Sequence, residues 1–153
     1  MRRLPSLIIA ALAASATALA LAVGGSAQGP HTIQLVERAV QVTDIPNPPR
    51  GRSHGDGFAA RSKLTDASGQ AAGTAHYSCV FTRADRRNPV VVCTVSIFLR
   101  DGRITVAGGV NLARRLQLIP VVGGSGAYEG AQGTLLIENR GRDRADLTFD
   151  LRP

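Results

Sequence analysis

Two cysteines and a nearby histidine are the residues whose types and spacing first suggest chemistry. Cys79 and Cys93 are the only cysteines among the 153 residues, and His76 lies shortly before the first of them. Two thiolates and an imidazole can ligate zinc, but a closed structural site needs four ligands and no fourth is apparent. A nucleophilic thiol would need an adjacent base. A disulfide needs only that the cysteines lie opposite each other in an oxidising compartment, and we favour this interpretation.

A glutamate on an apolar face is the second feature that could carry chemistry. Glu37 shares one face of a period-two segment with Ile33, Leu35 and Ala39, and the other face carries Val36, Arg38, Val40 and Val42. A carboxylate on an apolar face costs free energy unless it is partnered, so Glu37 is a candidate functional residue. The alternative is that this face is exposed to solvent. No carboxylate pair, metal cluster or Ser-His-Asp set can be assigned, and Asp56 is expected to order its own turn.

These residues lie in a chain whose periodicity is that of strands. Alternation of period two recurs from Thr32 onward, and no segment carries the period of a helix. Turn signals separate about eight predicted strands, at residues 32–42, 58–64, 71–82, 90–99, 104–110, 116–122, 134–139 and 145–151. These strands predict an all-β fold. Because the connections are of hairpin type, we predict an eight-stranded antiparallel up-and-down β-barrel and not a Greek key. Such a barrel holds side chains or one small ligand in its interior.

Two hairpins can be placed in more detail. A turn centred on Arg86 brings Cys79 opposite Cys93, at a Cα separation that suits a disulfide. Alternation then puts His76 on the opposite face from Cys79. The dipeptide Asp101-Gly102 between two apolar runs predicts a tight turn in which both residues have positive φ.

The N-terminus predicts an export signal. Arg2 and Arg3 precede an uncharged run at residues 7–23, and the small residues that end at Ala27 suit cleavage by a signal peptidase. A transmembrane anchor is the alternative, but the run is short and no cationic stop-transfer cluster follows it. We therefore predict a signal peptide at residues 1–27, exported by the Sec or the twin-arginine route. A single β-barrel domain at residues 28–153 would then act as a secreted, extracytoplasmic protein.

Charge and length exclude several classes of function. The net charge is +7, and five loop arginines could contact an anionic surface: Arg83, Arg86, Arg87, Arg114 and Arg115. Only 4% of the residues are aromatic, so stacking side chains are nearly absent and we predict no nucleic-acid partner. We also predict no stable membrane insertion after cleavage. A chain of 153 residues leaves no room for a separate cofactor-binding domain.

The most distinctive segment is rich in glycine. Residues 121–133 read Val-Val-Gly-Gly-Ser-Gly-Ala-Tyr-Glu-Gly-Ala-Gln-Gly. A dinucleotide loop would need a helix after these glycines, whereas the flanks predict strands that approach closely. The segment resembles the Gly-Gly-Thr/Ser-Gly-x-Phe/Tyr-x-x-x-x-Gly motif of the allene oxide cyclase and dirigent protein superfamily. Weaker matches in the family's order start at Gly55-Asp56-Gly57-Phe58, and we place the family-like core at about residues 55–151.

The resemblance separately implies an eight-stranded antiparallel barrel that holds a reactive molecule in one conformation. It implies Glu37 as the catalytic candidate, because an inward Glu on the first strand matters in the plant cyclases. Ser62 stands where the family has an Asn, and Tyr128 is the aromatic residue of the glycine motif. With Tyr77, these two are the expected ligand-binding residues. Cys79 matches a cavity cysteine of the family but is assigned here to the disulfide; no cofactor and no metal are expected.

Two functions remain open. The first is a secreted barrel that binds a small apolar or phenolic molecule and guides its cyclisation or coupling, as an isomerase or cyclase would. The second is a secreted barrel that binds a ligand or has a structural role without catalysis, which the departures at Ser62 and Cys79 favour. An interior cavity that contains Glu37 would favour the first, and a solid interior would defeat it. Assembly into a homo-oligomer is left open.

Overall fold

The computed structural model describes residues 31–47, 53–141 and 143–152, so the signal peptide predicted at residues 1–27 lies outside the described residues. Within the described ranges, every regular element is a β-strand. The strands are β1 (His31–Ile45), β2 (Gly57–Thr65), β3 (Ala71–Arg83), β4 (Val90–Leu99), β5 (Gly102–Asn111), β6 (Leu116–Gly126), β7 (Gln132–Asn139) and β8 (Arg144–Arg152).

The strands form one closed antiparallel barrel in which each strand pairs with its neighbours in the sequence. β1 closes the barrel because it pairs with both β2 and β8. The predicted all-β, eight-stranded up-and-down barrel is therefore confirmed. The described part of the chain contains no helix that could span a bilayer.

Inward side chains fill one half of the barrel and leave room in the other half. Leu64, Ile97, Ile104 and Phe149 are among the largest fully buried side chains. They lie near the end that carries the β2–β3, β4–β5 and β6–β7 turns, which we call the packed end. Each such side chain contributes about 1.5–3 kcal/mol of burial free energy. The packed end thus stabilises the fold, and the opposite, open end can hold a ligand.

A β-bulge in β1 changes which of its side chains face the interior. The pairing register with β2 shifts between Ala39 and Gln41, so Val40 is an extra residue in the strand. Simple alternation predicts Val42, like Val40, on the face opposite Glu37. Because the bulge moves the alternation by one position, Val42 instead lines the interior cavity, and the prediction for this residue was wrong.

The turn between β4 and β5 lies one residue earlier than predicted. Leu99 pairs with Gly102, so Arg100 and Asp101 form the connection and Gly102 belongs to β5. Neither Asp101 nor Gly102 has a positive φ, which contradicts the predicted turn geometry. Glycine is needed at position 102 for a different reason: a Cβ there would collide with the carbonyl oxygen of Ser125 on β6.

The glycine-rich segment continues β6 instead of forming a long connection. β6 runs to Gly126, beyond the predicted end at residue 122, and a turn then leads to β7. A Cβ at Gly124 would collide with the carbonyl oxygen of Tyr128, so the backbone here approaches too closely for a side chain, as expected. A strand and a turn, without a helix, occupy this segment, and it is not a dinucleotide loop.

Candidate functional site

The open half of the barrel contains a cavity of about 260 Å³. Alanines at positions 39, 60 and 145 line it, and their small side chains leave the room that larger residues would fill. Among the described residues, Glu37 is the only charged side chain in its lining, beside the polar Ser62, Tyr77, Gln117 and Asn139. The remaining lining is apolar: Val42, Phe58, Cys79, Cys93, Val95, Val106, Val110, Leu112, Ile119 and Ile137.

Glu37 projects into this cavity and has two hydrogen-bond partners. Its Oε1 accepts one hydrogen bond from Ser62 Oγ at 2.6 Å and another from Tyr77 Oη at 2.5 Å. Ser62 is almost completely buried, with 1% of its surface exposed. No donor from the described residues reaches Oε2 of Glu37. One carboxylate oxygen is therefore held by the protein, and the other is left for a ligand or water.

Cross-strand register brings these three residues together on β1, β2 and β3. Ser62 pairs with Ala39 and is therefore the diagonal neighbour of Glu37, and Tyr77, one strand further on β3, is in turn the diagonal neighbour of Ser62. Diagonal neighbours on one face of a sheet are within reach of long side chains. Ala39 pairs with Ser62 and Ala60 pairs with Tyr77. Because these two side chains are small, the phenol of Tyr77 can reach across β2 to the carboxylate of Glu37.

Burial, followed by the neighbouring charge of Glu37, raises the pKa of Tyr77 well above its ordinary value. The phenol therefore keeps its proton at neutral and mildly alkaline pH and remains a donor to Glu37. Glu37 is partly buried, and a partly buried carboxylate that accepts two hydrogen bonds avoids much of the desolvation cost of an unpartnered one. Ser62 and Tyr77 thus stabilise and orient Glu37.

The electrostatics of the cavity suit a ligand that donates hydrogen bonds. Apolar walls lower the local dielectric constant and strengthen the field of the Glu37 carboxylate. No Lys, Arg or His from the described residues lines the cavity, so a carboxylate on the ligand would be repelled by Glu37 without compensation. Chemically, the free Oε2 can accept a proton or a hydrogen bond from a hydroxyl, or stabilise positive charge that develops on a reacting carbon.

The predicted disulfide between Cys79 and Cys93 is confirmed. The two residues pair directly across β3 and β4, as the hairpin centred on Arg86 predicts, and both sulfurs belong to the cavity wall. Neither cysteine can then be a thiolate ligand or nucleophile, and His76 lies on the outer face as expected. In residues 31–47, 53–141 and 143–152, no three His, Cys, Asp or Glu side chains are placed to hold a metal ion.

Tyr128 lies away from the cavity. It belongs to the turn between β6 and β7 at the packed end, and its ring stacks on His31 with 6.3 Å between the ring centroids. The length of strand from His31 to Glu37 is about 20 Å. The structure therefore brings together Glu37, Ser62 and Tyr77 but leaves Tyr128 outside their site.

Two polar residues in the lining were not predicted. Gln117 Oε1 accepts a hydrogen bond from the backbone nitrogen of Asn111 at 2.7 Å, and Asn139 Nδ2 donates one to the carbonyl oxygen of Arg114 at 3.0 Å. Both lie at the open end, and Asn139 is in the same row as Glu37 because each of them pairs with Ala145 on β8. Each continues the inward alternation of an apolar strand, and that alternation is the signal that could have identified them.

Asp56 organises the loop before β2 and is not part of the cavity lining. Its Oδ1 accepts a hydrogen bond from the backbone nitrogen of Asn47, and its Oδ2 accepts one from that of Ser53, both at 2.7 Å. The carboxylate thereby ties the end of β1 to the start of β2. This matches the expected structural role of Asp56 in ordering its own turn.

The sequence matches one family model. Residues 36–145 match the family described as the allene oxide cyclase barrel like domain. No curated protein matches the sequence.

Several solved structures share the architecture. Pyocyanin demethylase superposes with a TM-score of 0.71 at 22% identity, over 79% of this chain and 99% of that chain. The exo-specific intermolecular Diels-Alderase AbnU gives 0.66 at 16% identity, over 82% of this chain and 100% of that one. The pterocarpan synthase dirigent protein PsPTS1 gives 0.62 at 13% identity, over 81% and 94% of the two chains. At these identities the likeness concerns the fold.

Proposed function

The chain belongs to the allene oxide cyclase barrel-like family, and we propose that it binds a small hydrophobic or phenolic molecule in its cavity and guides the cyclisation or coupling of that molecule. The observation that carries this proposal is the placement of Glu37. A single carboxylate, with one oxygen held by Ser62 and Tyr77 and the other free, lies in an otherwise uncharged and largely apolar cavity.

In the proposed mechanism, the barrel acts mainly by positioning. Apolar walls hold the ligand in one folded conformation, so that the atoms to be joined are close before the reaction begins. Ser62 and Tyr77 hold the carboxylate in place, and Oε2 of Glu37 accepts a hydrogen bond from a ligand hydroxyl or stabilises a developing cation. In an isomerising ring closure, a proton taken up by Oε2 returns to the product, so the carboxylate is regenerated.

The names of two of the similar structures support this class of reaction, whereas the name of pyocyanin demethylase describes a different one. A Diels-Alderase joins carbon atoms between two reactants, and a pterocarpan synthase forms a ring system; both names describe those proteins. The lining sharpens the expectation for this chain, because Phe58 and Tyr77 are the only aromatic residues among the described residues that line the cavity. We therefore favour a compact apolar ligand with a hydroxyl group over an extended phenolic one.

A ligand-binding barrel without catalysis is the second candidate. One feature favours it: among the described residues, no second carboxylate and no imidazole lines the cavity to act as a partner acid or base for Glu37. In this case Glu37 would fix the orientation of a bound hydroxyl without transferring its proton. The two candidates share the ligand site and differ only in whether the ligand changes.

The experiment that tests the proposal begins with the ligand. Protein purified from its own host is analysed by native mass spectrometry, and a bound small molecule is released and identified. A reactive precursor of that molecule is then incubated with the wild-type protein, with Glu37→Gln and without protein. A product ratio that changes only with the wild-type protein supports guided cyclisation or coupling. If the product ratio with the wild-type protein equals that without protein, the protein binds the ligand without catalysis. If no ligand co-purifies, both candidates are contradicted.

We further propose that the protein acts outside the cytoplasm after removal of residues 1–27. The Cys79–Cys93 disulfide supports this, since such bonds persist mainly in oxidising compartments. Mass analysis of the mature protein should find a chain that starts at Gln28. A full-length, cell-associated product would contradict the proposed cleavage, and blocking either export pathway separately would distinguish the Sec route from the twin-arginine route.

A further inference from the structure

A second concave feature lies on the outer wall of the barrel, on the other side of the sheet from the interior cavity. This feature, the outer groove, has a volume of about 270 Å³ and is lined by Gln41, Thr43, Ala59, Arg61 and His76 on β1, β2 and β3, together with Ala60 and Tyr77, which also line the interior cavity. Gln41 pairs with Arg61, and Arg61 pairs with His76, so these three side chains form one row across the sheet. Thr43 pairs with Ala59 in the row beside it.

The bulge at Val40 creates this arrangement. Because it shifts the alternation of β1, the polar Gln41 and Thr43 face outward next to β2, while Val42 faces inward. Ala59 presents only a methyl group between the longer side chains, which leaves the depression. The same irregularity therefore adds an apolar residue to the interior cavity and two polar residues to the outer groove.

Gln41, Thr43, Arg61 and His76 can each donate a hydrogen bond, and no acidic side chain of the described residues lines the outer groove. Arg61 forms no ion pair within residues 31–47, 53–141 and 143–152. Along the same outer wall, Arg38 pairs directly with Lys63, and these like charges are also without an acidic partner among those residues. Like charges opposite each other are unfavourable, and together they produce a positive potential that attracts anions.

The position of the His76 ring is set by its neighbours. Its Nε2 lies 3.3 Å from Thr74 Oγ1, and its ring meets Phe98 edge-on with 5.2 Å between the centroids. The ring is thereby held beside Arg61, where its other nitrogen can reach a group bound in the outer groove. Arg61, with a planar guanidinium, offers two parallel donors that match a carboxylate or a phosphate.

We propose that the outer groove binds an anionic oxygen group, a carboxylate or a phosphate, through Arg61 with Gln41, Thr43 and His76 as additional hydrogen-bond partners. The outer groove lies on the other face of the sheet from the Glu37 carboxylate, and this proposal does not rest on the proposed function of the interior cavity. Its ligand can be a free anion or the headgroup of an anionic lipid, since both present the same chemistry.

The test uses the mature protein and inorganic phosphate as the first probe. We expect saturable changes in the amide resonances of Arg61 and His76 on titration with phosphate. Arg61→Gln should raise the Kd by about tenfold or more, as for the loss of a charge-assisted hydrogen bond. Arg100→Gln is the matched control, because it removes the same charge from an exposed turn at the packed end and should leave the Kd unchanged.

A second variant keeps Arg61 in place. Ala59→Glu puts a carboxylate on the floor of the outer groove and should abolish phosphate binding, and circular dichroism shows whether each variant retains the barrel. Vesicles of phosphatidylglycerol and phosphatidylcholine, compared with phosphatidylcholine alone, form the second arm. Binding only to the anionic vesicles, with the same sensitivity to Arg61→Gln and Ala59→Glu, assigns a lipid headgroup as the source. If neither probe binds, or if Arg100→Gln weakens binding as much as Arg61→Gln, the proposal is overturned.

Discussion

Tyr77 on β3 donates a hydrogen bond to Glu37 on β1 at 2.5 Å, across the intervening strand β2. The contact joins an aromatic hydroxyl and a carboxylate inside a cavity that is largely apolar. Ser62 on β2 is the second donor, so two successive strands, β2 and β3, hold one carboxylate oxygen of Glu37 on β1. The site is therefore built on rigid strands, and the arrangement of Glu37 does not depend on a mobile loop.

Alkaline pH should expose the contribution of Tyr77 to stability. Burial raises its folded-state pKa above the ordinary value of 10.0, so the unfolded chain loses the phenol proton first. The stabilisation is fully present below about pH 10 and decreases as the pH rises above it. The free energy of unfolding of the wild-type protein should fall steeply in this range, and Tyr77→Phe should flatten the slope.

Tyr128→Phe is the control for that pH profile. Tyr128 is the only other tyrosine, and burial also raises its pKa, although it lies partly exposed in a turn. This variant should retain most of the wild-type slope. Equal flattening by both variants would show that the Tyr77–Glu37 contact has no special weight.

Filling the cavity should prevent ligand binding without unfolding the barrel. Ala60→Leu places a larger side chain in the cavity beside Ser62 and Tyr77, and we expect ligand affinity to fall at least about tenfold. Ala107→Leu adds the same side chain on the outer face of β5 and should bind normally. Native mass spectrometry of the two variants from the host measures the difference, and equal occupancy would place the ligand elsewhere.

Removal of the disulfide should destabilise the fold. Cys79 and Cys93 close a loop with a sequence separation of 14, for which the loop-closure model gives about 3 kcal/mol. The double variant Cys79→Ala, Cys93→Ala should lower the free energy of unfolding by about that amount in urea denaturation. Thiol titration of the denatured, unreduced protein should find no free thiol. Two free thiols, or no loss of stability in the double variant, would contradict this account.

Two glycines of β5 should respond differently to alanine. A Cβ at Gly102 collides with the backbone of β6, whereas a Cβ at Gly109 meets nothing within 4 Å. Gly102→Ala should cost about 1–3 kcal/mol of unfolding free energy, as expected for overpacking, and Gly109→Ala should be neutral or slightly stabilising. Denaturant unfolding measures both values. A neutral Gly102→Ala would indicate that the strands separate there at little cost.

Local patterns predicted most of the fold. Period-two alternation and short connections were enough for the eight strands and their order, and the spacing around Arg86 was enough for the pairing of Cys79 with Cys93. What they did not predict depends on register between strands. The bulge at Val40 appears only when β1 is paired with β2, so Val42 was assigned to the wrong face.

The candidate site was predictable in part for the same reason. Glu37 faces the interior because it precedes the bulge, where alternation still holds. Ser62 was singled out through the family resemblance and Tyr77 as an expected ligand-binding residue, and their contact with Glu37 depends on the register of β1, β2 and β3. Tyr128 belongs to the glycine motif of the family. That motif lies at the packed end of the barrel, so the turn that holds Tyr128 is remote from the cavity.

The most direct test of the central claim is a crystal structure of the protein with its co-purified ligand. We predict that the ligand occupies the cavity in the open half of the barrel. A hydroxyl or other donor of the ligand should lie within about 2.6–3.2 Å of Oε2 of Glu37. A ligand bound on the outer wall, or one in the cavity that leaves Oε2 to water alone, would contradict the account.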